Sequence, residues 1–438
     1  MKPLARSAIV LIPLLALGVF GVLIERATDG SGGGGGARPA ATTPTTQAPA
    51  PGTTPTSYAA LTYDAQEVQE PTRNTGQSKL WFHDTSWWGV LLDAGSAELR
   101  IHRLDPTTQT WQDTGTLVDD RRYARADVLS DGATVHIVSS GAEEDRSSHN
   151  VLVTRFTYTA ETKSYALDPR YPVALTDGGV AELALAMDGT GQLWTTFVRA
   201  GRIFASHAPG DGDAWVSPFE LPSIAGPVQA DQAALVAFGN RIGVLWINLG
   251  ENAVYFSVHD DGAPDTSWET VRTAVDGLIG DQDDLALQAF DSEARVFAAV
   301  QTSLGSQPNA NELAPKLLLL ELLPDLQWRQ HLFGRVNDHH SNPALLIDRE
   351  ERSLYMFATA PGQGGAVYYK KTSVDSPSFA TGTGTPLIAP PFGTTTVDQA
   401  TSTKQELDRA SGLVVLASDD TTGRYFHAVL DLAIEATG

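Results

Sequence analysis

The sequence contains no cysteine. That absence excludes disulfides, thiolate metal sites and a lipid-modified N-terminal cysteine. Positive charge is also scarce. Thirty lysines and arginines stand against 52 aspartates and glutamates, a formal net charge of -22. Such a surface repels phosphate backbones, so nucleic acid is not an expected partner. Hydrophobic residues make up 42% of the 438, enough for a large core. The carboxylate excess therefore reads as a soluble surface and not as disorder.

The first segment differs from the rest. Lys2 and Arg6 precede the uncharged run 7–24, SAIVLIPLLALGVFGVLI, and Glu25 and Arg26 close it. Such a run spans about 27 Å as a helix, close to a bilayer core. Its basic flank would stay in the cytoplasm, so the remainder is expected outside it. No clean A-x-A cleavage site follows Ile24. An uncleaved transmembrane signal anchor over 1–26 is therefore favoured over a signal peptide and a secreted protein. Residues 27–57 are rich in Gly, Pro and Thr and read as a disordered tether.

From about residue 58 the chain turns into short β-rich runs between Gly, Asp, Asn and Pro turns. A strand-turn-strand unit recurs at 79–92, 126–140, 183–197, 234–247, 285–300, 344–359 and 404–418. The turns fall near 84, 131, 188, 239, 291, 348 and 408. Asp-Gly or Gly-Asn at such bends is a hairpin signal. Two further strands follow in each unit, and an aromatic marks the later part. Trp111, Tyr165, Trp215, Trp268, Trp328 and Phe379 form this series, and their expected role is packing between adjacent sheets.

Helical periodicity is almost missing here. Repeated four-stranded units without helices predict an all-β fold, a seven-bladed β-propeller of four-stranded antiparallel blades over 58–438. Six blades is the alternative. The last copy, ending at 425–432, is one strand short. The strand-like stretch 57–68 is expected to supply the missing strand and close the ring, which removes open sheet edges.

The stretch SVHDDGAPDTSW (257–268) resembles the Asp-box pattern Ser-x-Asp-x-Gly-x-x-Trp of sialidase-like, or BNR-type, propellers. Ser257, Asp260 or Asp261, Gly262 and Trp268 match it, with extra residues inserted. SHAPGDGDAW (206–215) is a weaker echo. DHHSNPALLID (338–348) resembles the Asp-His-x-x-Pro lead-in of BNR-type propellers, some of them polysaccharide lyases. The resemblance implies a propeller over about 58–432. No Arg-Ile-Pro motif is present, and no tyrosine-glutamate nucleophile pair can be placed. The sialidase activity of that family is therefore not expected here. The Asp-box is a structural turn and argues fold, not activity.

The innermost strand of each blade lines a propeller's channel. Read back from each turn, the copies supply Ser78 and Lys79, Arg125 and Asp127, Glu182, Asp231 and Gln232, Asp283 and Asp284, His340 and Asn342, and Ser402 and Lys404. The expectation is a polar ring at one channel mouth. Lys404, Lys79 and Arg125 would form one wall; Glu182, Asp231 and Asp284 would face them. His340 would point into the channel and His339 away from it. Wet channels and mutual ion pairs need no ligand, and that structural reading stands beside the functional one.

A ring of this kind would bind a glycan or another polar surface ligand. If the protein is an enzyme, His340 could act as base and Arg125 could neutralise a carboxylate in a polysaccharide lyase acting on an acidic glycan. A glycosidase would use Glu182 with another carboxylate. A scaffold that binds protein is a third reading. No cofactor is expected. Calcium at the acidic loops 210–213, 259–265 or 280–284 is the one candidate, without an EF-hand pattern. The adjacent His339 and His340 do not make a zinc pair, because neighbours on a strand face opposite ways. A monomer is expected.

Overall fold

The computed structural model describes residues 57–73, 77–141, 151–176, 180, 182–222, 230–248, 250–276, 285–306, 309–361, 365–389 and 396–432. For 230, 231, 270–274 and 276 it describes the backbone alone. The expected anchor and the tether up to residue 56 lie outside the described residues. Among the described residues, no helix is long and apolar enough to cross a membrane.

The chain from Ser57 forms seven antiparallel sheets. Their innermost strands are Leu80–His83, Arg125–Ser130, Leu183–Met187, Ala230–Phe238, Leu285–Phe290, Ser341–Asp348 and Val397–Thr401. We number the blades 1 to 7 in that order. Six sheets have four strands. In blade 2 the third strand, Val151–Thr159, pairs with both Ser164–Leu167 and Val173–Thr176. The fold is a seven-bladed propeller, and the six-bladed alternative is excluded.

The ring closes as the sequence predicts. Ser57–Thr62 pairs with Arg424–Leu430 and becomes the outermost strand of blade 7. Tyr58 lies opposite His427, and their rings stack at 5.3 Å. The first described strand thus completes the last sheet and gives its edge a partner.

Local sequence explains the radial layering. Inner strands such as Leu183–Met187 (LALAM) and Leu285–Phe290 (LALQAF) are almost continuously apolar, because both faces of each sheet are covered. Their alanines suit the axis, where neighbouring sheets converge. Farther out the sheets diverge, and larger rings fill the gap. Tyr165 of blade 2 lies 5.5 Å from Trp81 of blade 1 and accepts its indole N–H at 2.9 Å. Trp268 of blade 4 meets Trp194 of blade 3, Trp328 meets Phe256, and Phe379 meets Phe333. Trp111 of blade 1 meets His427 of blade 7. Each of these aromatics packs on the preceding blade, the role expected of them.

Blade 7 departs from the expected register. In blades 1 to 6 the first two strands join by tight turns, such as Asp84–Thr85, whose φ angles of 47° and 59° give a type I′ bend. In blade 7 the inner strand ends at Thr401 and the second begins at Leu413. The stretch 404–412, read as a strand and turn, is instead a long connection. Lys404 therefore follows the inner strand and does not lead it.

Candidate functional site

The long connection of blade 7 fills the channel. The Ser402 carbonyl accepts the Lys79 and Leu80 amides of blade 1 at 3.1 and 2.9 Å. Gln288 of blade 5 donates its side-chain amide to the Lys404 carbonyl at 3.0 Å. Lys404 Nζ donates to the Leu185 carbonyl of blade 3 at 2.8 Å and pairs with Asp127 of blade 2. The Leu407 amide donates to Ile347 of blade 6 at 2.8 Å. One segment thus touches five other blades. Backbone groups that a channel would leave to water are satisfied by the segment itself.

Five of the predicted ring residues, Ser78, Lys79, Asp127, Glu182 and Lys404, meet in one largely buried network. Asp127 is fully buried and accepts the Ser78 amide at 2.8 Å and the Leu185 amide at 2.7 Å, besides Lys404. Lys79 is also buried and donates to Gln77 Oε1 at 2.9 Å and to the Ala126 carbonyl. Gln77 donates in turn to Glu182 at 3.2 Å. Burial pulls the Lys79 ammonium down to about 8, against the attraction of Asp127. Among the described residues, the expected cationic wall and Glu182 do not face each other across open space. Lys404 pairs directly with Asp127, and the intervening volume is occupied.

Those of the remaining predicted residues that are described are dispersed. Arg125 is exposed at the start of the blade 2 inner strand. Gln232 is buried in the inner strand of blade 4. Asp231 lies on that strand, but its side chain is outside the described residues, as are Asp283 and Asp284 entirely. Asn342 donates to Asp398 Oδ1 at 2.6 Å, tying blade 6 to blade 7. Ser402 Oγ donates to the Val414 carbonyl at 2.6 Å.

His340 does not face the channel. It is fully buried against Phe333, the ring centres 4.9 Å apart, and its Nε2 bonds the Thr383 carbonyl at 2.9 Å. Phe333 belongs to the outermost strand of blade 5, and Thr383 precedes that of blade 6. A Cβ on Gly334 would sit 2.2 Å from His340 Nδ1, so this glycine makes room for the imidazole. Burial lowers the His340 pKa to about 4. His339, with φ 57°, caps the short turn before it and is exposed. The period-two argument failed because 336–338 form a 3-10 turn and the strand begins only at Ser341.

An open cavity exists at the other end of the channel. It has a volume of about 640 Å³ and lies within the ring of first-to-second-strand hairpins. Asp131, Gln288, Asp291, Arg349, Lys404 and Glu406 line it. Of these, the ring reading contained Lys404 alone. Asp131 Oδ1 accepts the Thr134 amide, and Asp291 Oδ1 accepts the Gly239 amide. Glu406 Oε1 accepts the Asp291 amide at 3.1 Å. Burial, and then the nearby Asp291 carboxylate, raise the Glu406 pKa above the usual range. Arg349 pairs with Asp408. Such a pocket offers carboxylates and amides to hydroxyl groups. The missed signal was the blade 7 connection: a strand-turn-strand reading hid residues that reach the axis.

The Asp-box-like segment falls at the turn between the third strand of blade 4, Ala253–Asp260, and the fourth, Glu269–Asp276. Trp268 donates its indole N–H to the Asp265 carbonyl at 3.0 Å within that turn. Among the described residues no group of three or more His, Asp or Glu side chains is placed to hold a metal ion. The loop 280–284 lies outside them.

No protein-family model matches the chain, and no curated protein matches it. Solved structures do. A polysaccharide lyase of the PL25 ulvan lyase family superposes with a TM-score of 0.54 at 10% identity, covering 83% of this chain and 94% of that one. The same lyase family bound to -[GlcA(1-4)Rha3S]- gives a TM-score of 0.53 at 10% identity and the same coverage. The Penicillium chrysogenum alpha-L-arabinanase with arabinobiose gives 0.43 at 11% identity, covering 74% of this chain and 99% of that one. At such identities the likeness to the lyases is one of fold.

Proposed function

We propose that this protein is an extracytoplasmic, membrane-tethered propeller that binds a glycan at the hairpin-side mouth of its channel. The tether rests on the apolar run 7–24 and the linker after it. The observation that carries the binding site is the cavity of about 640 Å³, floored by the blade 7 connection and rimmed by carboxylates and amides. Concave sites with a few convergent polar groups are where saccharide-sized ligands bind. The fold shared with polysaccharide lyases supports a glycan as the ligand class. Kinship with sialidase-like, Asp-box propellers is a finer reading, supported by the position of Ser257–Trp268 between a third and a fourth strand. A glycan array tests the proposal. Retention of a defined saccharide supports it, and retention of none removes it.

One observation favours an enzymatic second reading. Glu406 is a half-buried carboxyl with a raised pKa beside Asp291. Two neighbouring carboxyls, one of them with its pKa raised by burial, are the kind of pair a glycosidase uses. Reducing-end release from any array-positive glycan, abolished by Glu406→Gln, would support hydrolysis. The lyase reading built on His340 loses its support, because that imidazole is buried between blades.

A further inference from the structure

The mouth cavity does not end at the rim of the channel. A second cavity, of about 590 Å³, runs outward between blades 2 and 3, and Asp131 and Met187 line both. A third, of about 420 Å³, runs between blades 4 and 5, and Gly239 lines both it and the mouth. These shared lining residues make the three cavities neighbours across the hairpin face, the outline of a trough. A single sugar unit would occupy the mouth alone. A trough that continues on both sides fits a chain.

The lining has a definite electrostatic character. Among the described residues, every cation along the trough is already paired. Lys404 pairs with Asp127 and Arg349 with Asp408. Arg155 pairs with Asp168 at 3.1 Å and Arg241 with Asp260 at 3.1 Å. The carboxylates are less committed. Asp131 and Asp291 each spend one oxygen on a backbone amide and are otherwise exposed. Asp211 adds another exposed carboxylate in the outer groove. A uronate or sulfate group would meet these acids with no unpaired cation to receive it. The net charge of -22 repels a polyanion at longer range as well.

The floor provides a neutral contact. Gln288 is 4% exposed, and its amide nitrogen is committed to the Lys404 carbonyl. Its amide oxygen has no partner among the described residues, and the residue lines the mouth. An acceptor open to the mouth in this way can take a hydrogen bond from a ligand hydroxyl or amine.

We infer that the ligand is an extended, non-anionic glycan chain. It lies across the hairpin face, from the groove between blades 2 and 3, over the channel mouth, to the groove between blades 4 and 5. This inference rests on the glycan-binding reading above and adds the length and charge class of the ligand.

The test is calorimetric titration of the full-length protein in detergent. The probes are cello-oligosaccharides and glucosamine oligosaccharides of two to six units, with oligogalacturonates of equal length. In one of the first two series, Kd falls at least about tenfold from the disaccharide to the hexasaccharide. The oligogalacturonates bind at least about tenfold more weakly than that series at equal length. Asp211→Trp and Asn240→Trp, one in each side groove, weaken the hexasaccharide more than the disaccharide. Affinity independent of length, equal effects of these variants on both lengths, or tighter binding of oligogalacturonate would overturn the inference. Those outcomes leave glycan binding at the mouth standing. Failure of every saccharide to bind would overturn both.

Discussion

Lys404, on the long connection of blade 7, forms an ion pair with Asp127 of blade 2 in the centre of the propeller. The two are 277 residues apart in sequence. The pair fastens the segment that converts an open channel into a pocket with a floor. Removing one partner leaves the other charged and buried, at a cost of roughly 3 kcal/mol. Lys404→Met should therefore lower the urea-unfolding free energy by about that amount. The double variant Lys404→Met/Asp127→Asn should lose less than the sum of the two single changes.

Several buried imidazoles make stability sensitive to acid. Burial lowers His136, His340 and His427 to about 4 each, against about 6.5 for an unfolded histidine. Between those values the unfolded chain binds more protons than the folded one. Stability therefore falls as pH drops from about 6.5 towards 4. Urea titrations at stepped pH should show this loss, and His340→Gln should flatten the slope.

Lys79 acts in the alkaline range. Its folded pKa of about 8 lies below the ordinary lysine value, so the unfolded chain again binds the extra proton. Stability due to this group rises with pH between about 8 and 10.5. The difference in unfolding free energy between wild type and Lys79→Met, followed over that range, reads the effect directly.

Gly334 and His340 should prove coupled. A Cβ at 334 would meet His340 Nδ1 at 2.2 Å, so Gly334→Ala forces the imidazole or the strand to move. The expected destabilisation is about 1–3 kcal/mol. It should shrink when His340 is also reduced to alanine, a non-additivity that a double-mutant cycle measures.

The parts of the fold written as local pattern were legible. Hairpin turns at Asp84, Asp131 and Asp188 marked blades, and the aromatics from Trp111 to Phe379 marked blade-to-blade packing. The closing strand at Ser57–Thr62 followed from a missing partner in blade 7. The site was less legible, because its geometry depends on contacts remote in sequence. Lys404 reaches Asp127 through a connection whose alternation mimics a strand and turn. His340 was assigned a face by counting along an extended segment, but the turn at 336–338 breaks the count. Glu406 and Gln288 carried no motif at all. They became candidates once the connection placed one beside Asp291 and the other beneath the mouth.

The most direct measurement is the affinity of an array-identified glycan for wild-type protein and for Glu406→Gln. Binding at the hairpin-side mouth predicts a loss of at least about tenfold in Kd, the value of a hydrogen bond to a charged group. The same affinity in both proteins would place the ligand elsewhere and contradict the account.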